Sequence, residues 1–311
     1  MKKLFILFLS ATLLLSGCSI GDLKKQIGMS DTSENAGVPR ETVHDFNMPE
    51  APGTTVYGNS AISIDASNTA DGYVMIRYGG SAPKVQVQIH NPDGTEYDYP
   101  LEISDYHALP LTGGNGTYQI DVLENVTEDM YSVGLSQKVR VELADEFRPY
   151  LFPNQYVNYT ADSEAVQKGV ELSDDSTDDI SFITNVYNWV IKNISYDTDL
   201  ASNVTVNYIP SVDATYASKK GICFDYASLM SAMLRSQDIP TKLVVGYSGT
   251  AYHAWISVYL EGKGWVDDII EFNGSDWSLM DPTLAANNAN NDSAVKEYVG
   301  DGSNYTAKYT Y

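Results

Sequence analysis

Cysteine is almost missing from this chain: two residues, Cys18 and Cys223, stand in 311. So few exclude a disulfide-stapled scaffold. Histidine is scarce as well, with four residues. His90 and His107 stand isolated, without the neighbours a metal site needs, and read as surface or packing residues. Basic side chains are outnumbered, 19 Lys and Arg against 41 Asp and Glu, giving a formal charge of −22. A surface of that sign repels polyanions, which argues against nucleic acid as a partner. The apolar stretch at residues 4–15 is also shorter than the roughly 20 residues a membrane-spanning helix needs.

That stretch is instead the core of a secretory signal, because Met1-Lys2-Lys3 precedes it and small residues follow. Leu15-Ser16-Gly17-Cys18 resembles a lipobox. The resemblance implies cleavage before Cys18, lipid attachment to its sulfur, and a bacterial protein exported and anchored to a membrane, facing away from the cytoplasm. Acyl chains contribute about 0.8 kcal/mol per buried CH2, so several would hold the chain stably at a bilayer. Removing a 17-residue signal peptide (1–17) would leave 294 of 311 residues, and losing Lys2 and Lys3 takes the formal charge from −22 to −24. That length suits about two domains, each with its own core. Cys223 is then the sole free thiol. It is either a small buried hydrophobe or a reactive group, and its neighbourhood has to decide.

Residues 18–45 are polar and poor in aromatics, which fits a flexible tether. Over residues 46–155 the pattern has period two, as in Lys84-Val85-Gln86-Val87-Gln88-Ile89 and Thr117-Tyr118-Gln119-Ile120-Asp121-Val122. Turn signals such as Asn91-Pro92-Asp93-Gly94 separate the runs, so an antiparallel β-sandwich of immunoglobulin-like type is expected. After Tyr159 the period changes. Residues 182, 183, 186, 187, 190 and 191 are apolar at helical spacing. The acidic run before them, Ser173 to Asp179, complements the helix dipole. It lacks the glycine and distal glutamate of a calcium loop, and no metal or cofactor is expected. The fold class is therefore α+β.

The chemistry concentrates between residues 220 and 283. Gly221 breaks the chain and a helix is expected to start near Cys223, with Tyr226, Met230 and Met233 or Leu234 on its buried stripe. A thiol in the first helical turn faces the positive end of the dipole, which favours the thiolate. Pro240 ends the helix, and Thr241 to Tyr247 reads as a strand. A second strand, Tyr252 to Leu260, carries His253 with Trp255, Ser257 and Tyr259 on one face and Ala254, Ile256, Val258 and Leu260 on the other. A histidine near a strand start, among polar and aromatic groups, suits a cleft better than an apolar core.

Three segments, Gly-Ile-Cys-Phe-Asp-Tyr-Ala at 221–227, His-Ala-Trp at 253–255 and Asp-Pro-Thr at 281–283, stand in the order found in the transglutaminase-like superfamily of papain-like cysteine enzymes, which the chain resembles. Tyr187-Asn188-Trp189-Val190 and Asn193 to Asp197 are similar to the family's preceding helix and edge. The resemblance covers roughly residues 160 to 290; the corresponding domain is taken as 156–311. It implies a triad of Cys223 as nucleophile, His253 as base and then acid, and Asp281 as the group orienting the imidazole. It also implies an oxyanion hole from the Cys223 amide, with Tyr196 as candidate second donor. Asp267 and Asp268 lie closer to His253 in sequence, but Asp281 carries the family's Asp-Pro-Thr. The implied function is a cell-surface thiol enzyme acting on amide bonds of a peptide or protein substrate through an acyl-enzyme. It would be a peptidase or amidase if water accepts the acyl group, or a protein-glutamine transamidase if an amine does. The alternative is a catalytically inactive surface-binding or scaffold lipoprotein.

Overall fold

The computed structural model describes residues 39–103, 105–266, 269–272, 277–279 and 305–311. The signal peptide, Cys18 and the first part of the expected tether lie outside the described residues. So do Asp267, Asp268 and Asp281.

The first half is built from strands: β1 (Val56–Gly58), β2 (Ile62–Asp65), β3 (Tyr73–Tyr78), β4 (Val85–His90), β5 (Glu96–Leu101), β6 (His107–Pro110), β7 (Gly116–Thr127) and β8 (Met130–Val141). They form two four-stranded antiparallel sheets, ordered β1-β2-β3-β6 and β5-β4-β7-β8. Strand β4 shows how the sequence drives this. Val85, Val87 and Ile89 are buried while Gln86, Gln88 and His90 between them are only half-buried, so one face meets the core and the other water. The expected Asn91–Gly94 turn joins β4 to β5. Gly94 holds φ at +90°, and the Asn91 amide donates to the Thr95 carbonyl at 2.9 Å.

Among the described residues, the first half has only two short 3-10 turns, Thr69–Asp71 and Arg148–Tyr150, and the α-helices come after residue 160. They are α1 (Glu164–Asp174), α2 (Asp179–Asn193), α3 (Thr198–Asn203), α4 (Val212–Ser218) and α5 (Cys223–Arg235). Interleaved with them are the short strands β9 (Ser195–Tyr196) and β10 (Lys220–Gly221), which pair in parallel. The remaining strands are β11 (Thr241–Ser248), β12 (Ala251–Leu260), β13 (Gly264–Val266), β14 (Ile269–Phe272), β15 (Trp277–Leu279) and β16 (Tyr305–Thr310). The third sheet is ordered β13-β12-β11-β16, and β14 pairs with β15. The chain is thus mixed α/β. No helix among the described residues is long and apolar enough to cross a membrane.

Helix α2 forms where the spacing places one. Phe182, Ile183, Val186, Tyr187 and Val190 are its buried stripe. Asp178 caps it, accepting from the Ser181 amide at 2.8 Å, while the Ser181 hydroxyl accepts from the Asp178 amide at 3.1 Å. Helix α5 starts at Cys223 as expected but departs from the single buried stripe: every residue from Asp225 to Arg235 is buried. The reason is its position. It lies against β11 and β12 on one side and α1, α2 and α4 on others, so no face meets water. Several of its polar side chains are bonded, although the buried Ser231 hydroxyl has no partner among the described residues. Ser228 donates to the Tyr156 carbonyl at 2.6 Å. The Arg235 guanidinium donates to the carbonyls of Thr241, Phe152 and Tyr311 at 2.6–2.9 Å. Burial lowers the Arg235 pKa to about 10. One apolar cluster runs from Ile62 in β2 through Val87 and Tyr118 to Phe182, Met230 and Ile256, so both halves share a continuous core.

Within the stretch read as a tether, residues from Pro39 onward are pinned. Pro39 bridges Asp178. The Arg40 side chain, 4% exposed, pairs with Asp179 at 2.7 Å and donates to Ser173 Oγ and the Gln237 carbonyl. Its guanidinium also lies 4.2 Å from the Phe182 ring centroid. Gln237 accepts from the Val43 amide and donates to its carbonyl, both at 3.0 Å.

Candidate active site

Cys223 is the first residue of α5 and a free, half-buried thiol. Ile222 before it is extended, with φ −96° and ψ −179°, so the chain enters the helix by a sharp change of direction. The amides opening a helix have no intrahelical acceptor and point toward whatever sits at its N-terminus. This end of the helix is held in place on three sides.

The first support is the β9–β10 ladder. Gly221 lies opposite Tyr196, the Ser195 amide donates to the Lys219 carbonyl, and the Asp197 amide donates to the Gly221 carbonyl, both at 2.9 Å. Tyr196, the expected second oxyanion donor, is therefore fixed beside the residue two before the thiol. The Tyr226 hydroxyl, one turn into α5, donates to the Ile194 carbonyl at 2.7 Å and ties the same ladder to the helix.

The second support is Asp225, 1% exposed. Its carboxylate accepts from the Ile222 amide at 2.8 Å and from the Tyr208 hydroxyl at 2.7 Å. Burial pushes its pKa up; the hydrogen bonds from Ile222, Tyr208 and Thr215 oppose that shift, and the charge of Asp197 adds to it. Gly221 makes this possible, since a Cβ there would stand 2.5 Å from Asp225 Cβ. Neither Asp225 nor Tyr208 is among the candidate site residues that the sequence pattern singles out. Asp225 had a signal, a carboxylate three residues past the N-cap. Tyr208 had none, because it comes from the loop before α4.

The third support is Lys219, in the left-handed region at φ +57°. Its ammonium lies 3.5 Å from the Tyr216 ring centroid and 4.7 Å from that of Trp189, and those two rings stack 5.3 Å apart. Burial lowers the Lys219 pKa. The cation–π contacts contribute about 0.5–1 kcal/mol each and fix the turn leading into β10.

His253 sits in β12, opposite Gly246 of β11. Gly246 is required there, since a Cβ would meet the Thr306 carbonyl oxygen of β16 at 2.1 Å. The imidazole lies half-buried beside Trp255 and Tyr305, with ring centroids 6.2 Å away in each case. Alternation puts Tyr252 on the other face with Ala254 and Ile256, and those two share the main core with α5. Helix α5 and strand β12 are in contact, but through the face of Ala254 and Ile256; alternation puts the His253 imidazole on the opposite face of the sheet from the helix that carries the thiol. Among the described residues no hydrogen bond joins them. Asp281 and Cys18 fall outside the described residues. His90, read as a surface residue, lies between Glu96 and Asp121 at 3.1 and 3.2 Å.

Residues 167–267 match the family model of the transglutaminase-like superfamily. Among curated proteins, the UPF0252 protein MJ1282 of Methanocaldococcus jannaschii is 27% identical over 190 residues, 54% of this chain and 53% of that protein. The uncharacterized protein YebA of Bacillus subtilis is 26% identical over 217 residues, 59% of this chain and 26% of that protein. The chain therefore spans about half the length of the first relative and a quarter of the second. Among solved structures, a proposed cysteine protease from Cytophaga hutchinsonii overlaps 83% of this chain and 74% of its own, at 15% identity and a TM-score of 0.39.

Proposed function

Because the chain carries a transglutaminase-like superfamily domain at residues 167–267, we propose that Cys223 is the nucleophile of a cell-surface enzyme acting on amide bonds. In this reading the Cys223 sulfur attacks the carbonyl carbon of a peptide or protein substrate. His253 takes the thiol proton and returns it to the departing amine, and Asp281 orients the imidazole and balances its charge. The oxygen of the tetrahedral adduct is held by the amide of Cys223, with Tyr196 as second donor. The acyl group left on sulfur passes to water, in a peptidase or amidase, or to an amine, in a protein-glutamine transamidase. Turnover requires the imidazole to come within hydrogen-bond reach of the thiol.

One observation carries this reading. The only cysteine outside the lipobox stands at the first residue of α5, where the Asp225 cap and the β9–β10 ladder hold the helix start. A thiol kept for packing alone would need neither the buried Asp225 cap nor the Tyr196 ladder around it.

The rest of the chain supports a role outside the cytoplasm. The two N-terminal sheets read as an immunoglobulin-like β-sandwich, and the lipobox reads as an anchor at Cys18. The strap at Val43 binds Gln237, just past the far end of α5. The 13 residues of α5, at about 1.5 Å rise each, put that anchorage roughly 20 Å from the thiol.

Mass spectrometry of peptides incubated with and without a primary amine, using wild type and Cys223→Ala, tests the proposal. Cleaved or amine-linked products that vanish in Cys223→Ala are expected. No Cys223-dependent product, together with a thiol that alkylates only after denaturation, would instead support the inactive surface-binding or scaffold protein.

A further inference from the structure

The surface next to the start of α5 is aromatic. Tyr247 of β11 and Tyr252 of β12 are direct partners, with rings 5.5 Å apart at 66°. Both are exposed, at 42% and 59%. Alternation along β12 puts Tyr252 on the face of Ala254 and Ile256, the face that packs on α5. Across the sheet, Tyr309 of β16 lies opposite Val245, on the same face as Tyr247. Lys308 is the extra residue of a bulge at that point, and its exposed ammonium stands 4.8 Å from the Tyr309 ring centroid.

A file of buried rings leads inward from Tyr309 toward the start of α5. Tyr309 meets Tyr97 at 5.2 Å and Tyr97 meets Tyr311 at 5.5 Å. Tyr311 meets Tyr156 at 4.5 Å, and Tyr156 meets Phe224, the residue after Cys223, at 5.4 Å. Burial raises the Tyr252 phenol pKa, and the charges of Tyr309, Tyr247 and Cys223 add to the rise while that of Lys308 opposes it.

Two edge-to-face rings left open to water offer a third ring a place to stack, which an aliphatic chain would use less well. A lysine at the rim, on a chain of strongly negative charge, offers a carboxylate one of few favourable places on the surface. We propose that Tyr247 and Tyr252, with Lys308 at the rim, form a subsite that receives an aromatic residue flanked by a carboxylate, next to the carbonyl Cys223 attacks. This rests on Cys223 being the nucleophile, and it assigns the substrate side chain that the proposed function leaves open.

The test uses thiol probes on the full chain in detergent, with the labelled residue mapped by mass spectrometry. Iodoacetamide, N-benzyl iodoacetamide and N-(4-carboxybenzyl) iodoacetamide each lose iodide as the Cys223 sulfur bonds to carbon. The benzyl probe should label wild type about two- to tenfold faster than iodoacetamide, and the carboxybenzyl probe faster still. Tyr252→Ala and Tyr247→Ala should abolish the benzyl preference, read in each variant as the ratio of the benzyl to the iodoacetamide rate. Tyr252→Phe should keep it, and Lys308→Gln should remove only the carboxylate increment. Ready labelling by iodoacetamide with no benzyl preference, or a preference that survives Tyr252→Ala and Tyr247→Ala, overturns the subsite and leaves the nucleophile standing. Labelling by any probe only after denaturation overturns both.

Discussion

Asp225→Asn probes the support under the thiol most directly. The wild-type carboxylate accepts from the Ile222 amide and the Tyr208 hydroxyl at 2.8 and 2.7 Å, inside the core. An asparagine has one acceptor oxygen, so the Ile222 amide and the Tyr208 hydroxyl can no longer each donate to an oxygen of their own. Leaving one buried donor unmatched costs about 1–3 kcal/mol. Asp225→Ala strands both donors and should cost about 2–6 kcal/mol. The pH dependence gives a sharper readout. Burial raises the pKa of Asp225 above its unfolded value, so across that window the folded state binds more protons than the unfolded one. Stability from this group is therefore fully present below the unfolded pKa of 3.8 and is lost as pH rises through the folded pKa. Asparagine has no such slope. The gap between wild type and Asp225→Asn, measured by urea unfolding from pH 3 to pH 7, should be widest at the acid end and narrow toward neutrality. A gap that widens with pH would mean the fold favours the ionised carboxylate, and the burial argument would be wrong. Native iodoacetamide labelling of Cys223 in the same variants reports whether the loosened helix start also disturbs the thiol.

His253→Ala should slow native alkylation of Cys223 at pH 6, because the imidazolium that would stabilise the thiolate is gone; an unchanged rate would remove His253 from the site. Arg235→Lys replaces a fork making four carbonyl bonds with a point donor, and losing two of them should cost about 3–5 kcal/mol in chemical denaturation. Gly221→Ala pushes a methyl against Asp225 Cβ at 2.5 Å and should cost about 1–3 kcal/mol, with slower Cys223 labelling. Arg40→Ala should leave Cys223 labelling unchanged but speed hydrogen exchange at Val43 and Phe182, since it releases the chain around Val43 without touching the Cys223 end of α5.

Much of this molecule was legible before folding was considered, because the deciding interactions are local. The start of α5 at Cys223 follows from a glycine that breaks the chain and a run of good helix formers closed off by Pro240. The β4–β5 hairpin follows from period two and an Asn-Pro-Asp-Gly turn, and α2 from spacing of three and four behind a capping Asp178. The order of the Cys, His and Asp segments is likewise a property of the string. Other features exist only because distant segments meet. Nothing near Arg235 announces a buried cation held by carbonyls of Phe152, Thr241 and Tyr311. Nothing in a polar stretch announces that Arg40 will clamp α1, α2 and the end of α5. The full burial of α5, the Tyr208 hydroxyl on Asp225, the edge strand β16 and the exposed tyrosine pair beside the thiol are of the same kind. Spacing along the chain reports which face of an element is apolar; which surfaces cover that face, and which buried polar groups must then find partners, is decided only when the layers close and water is gone.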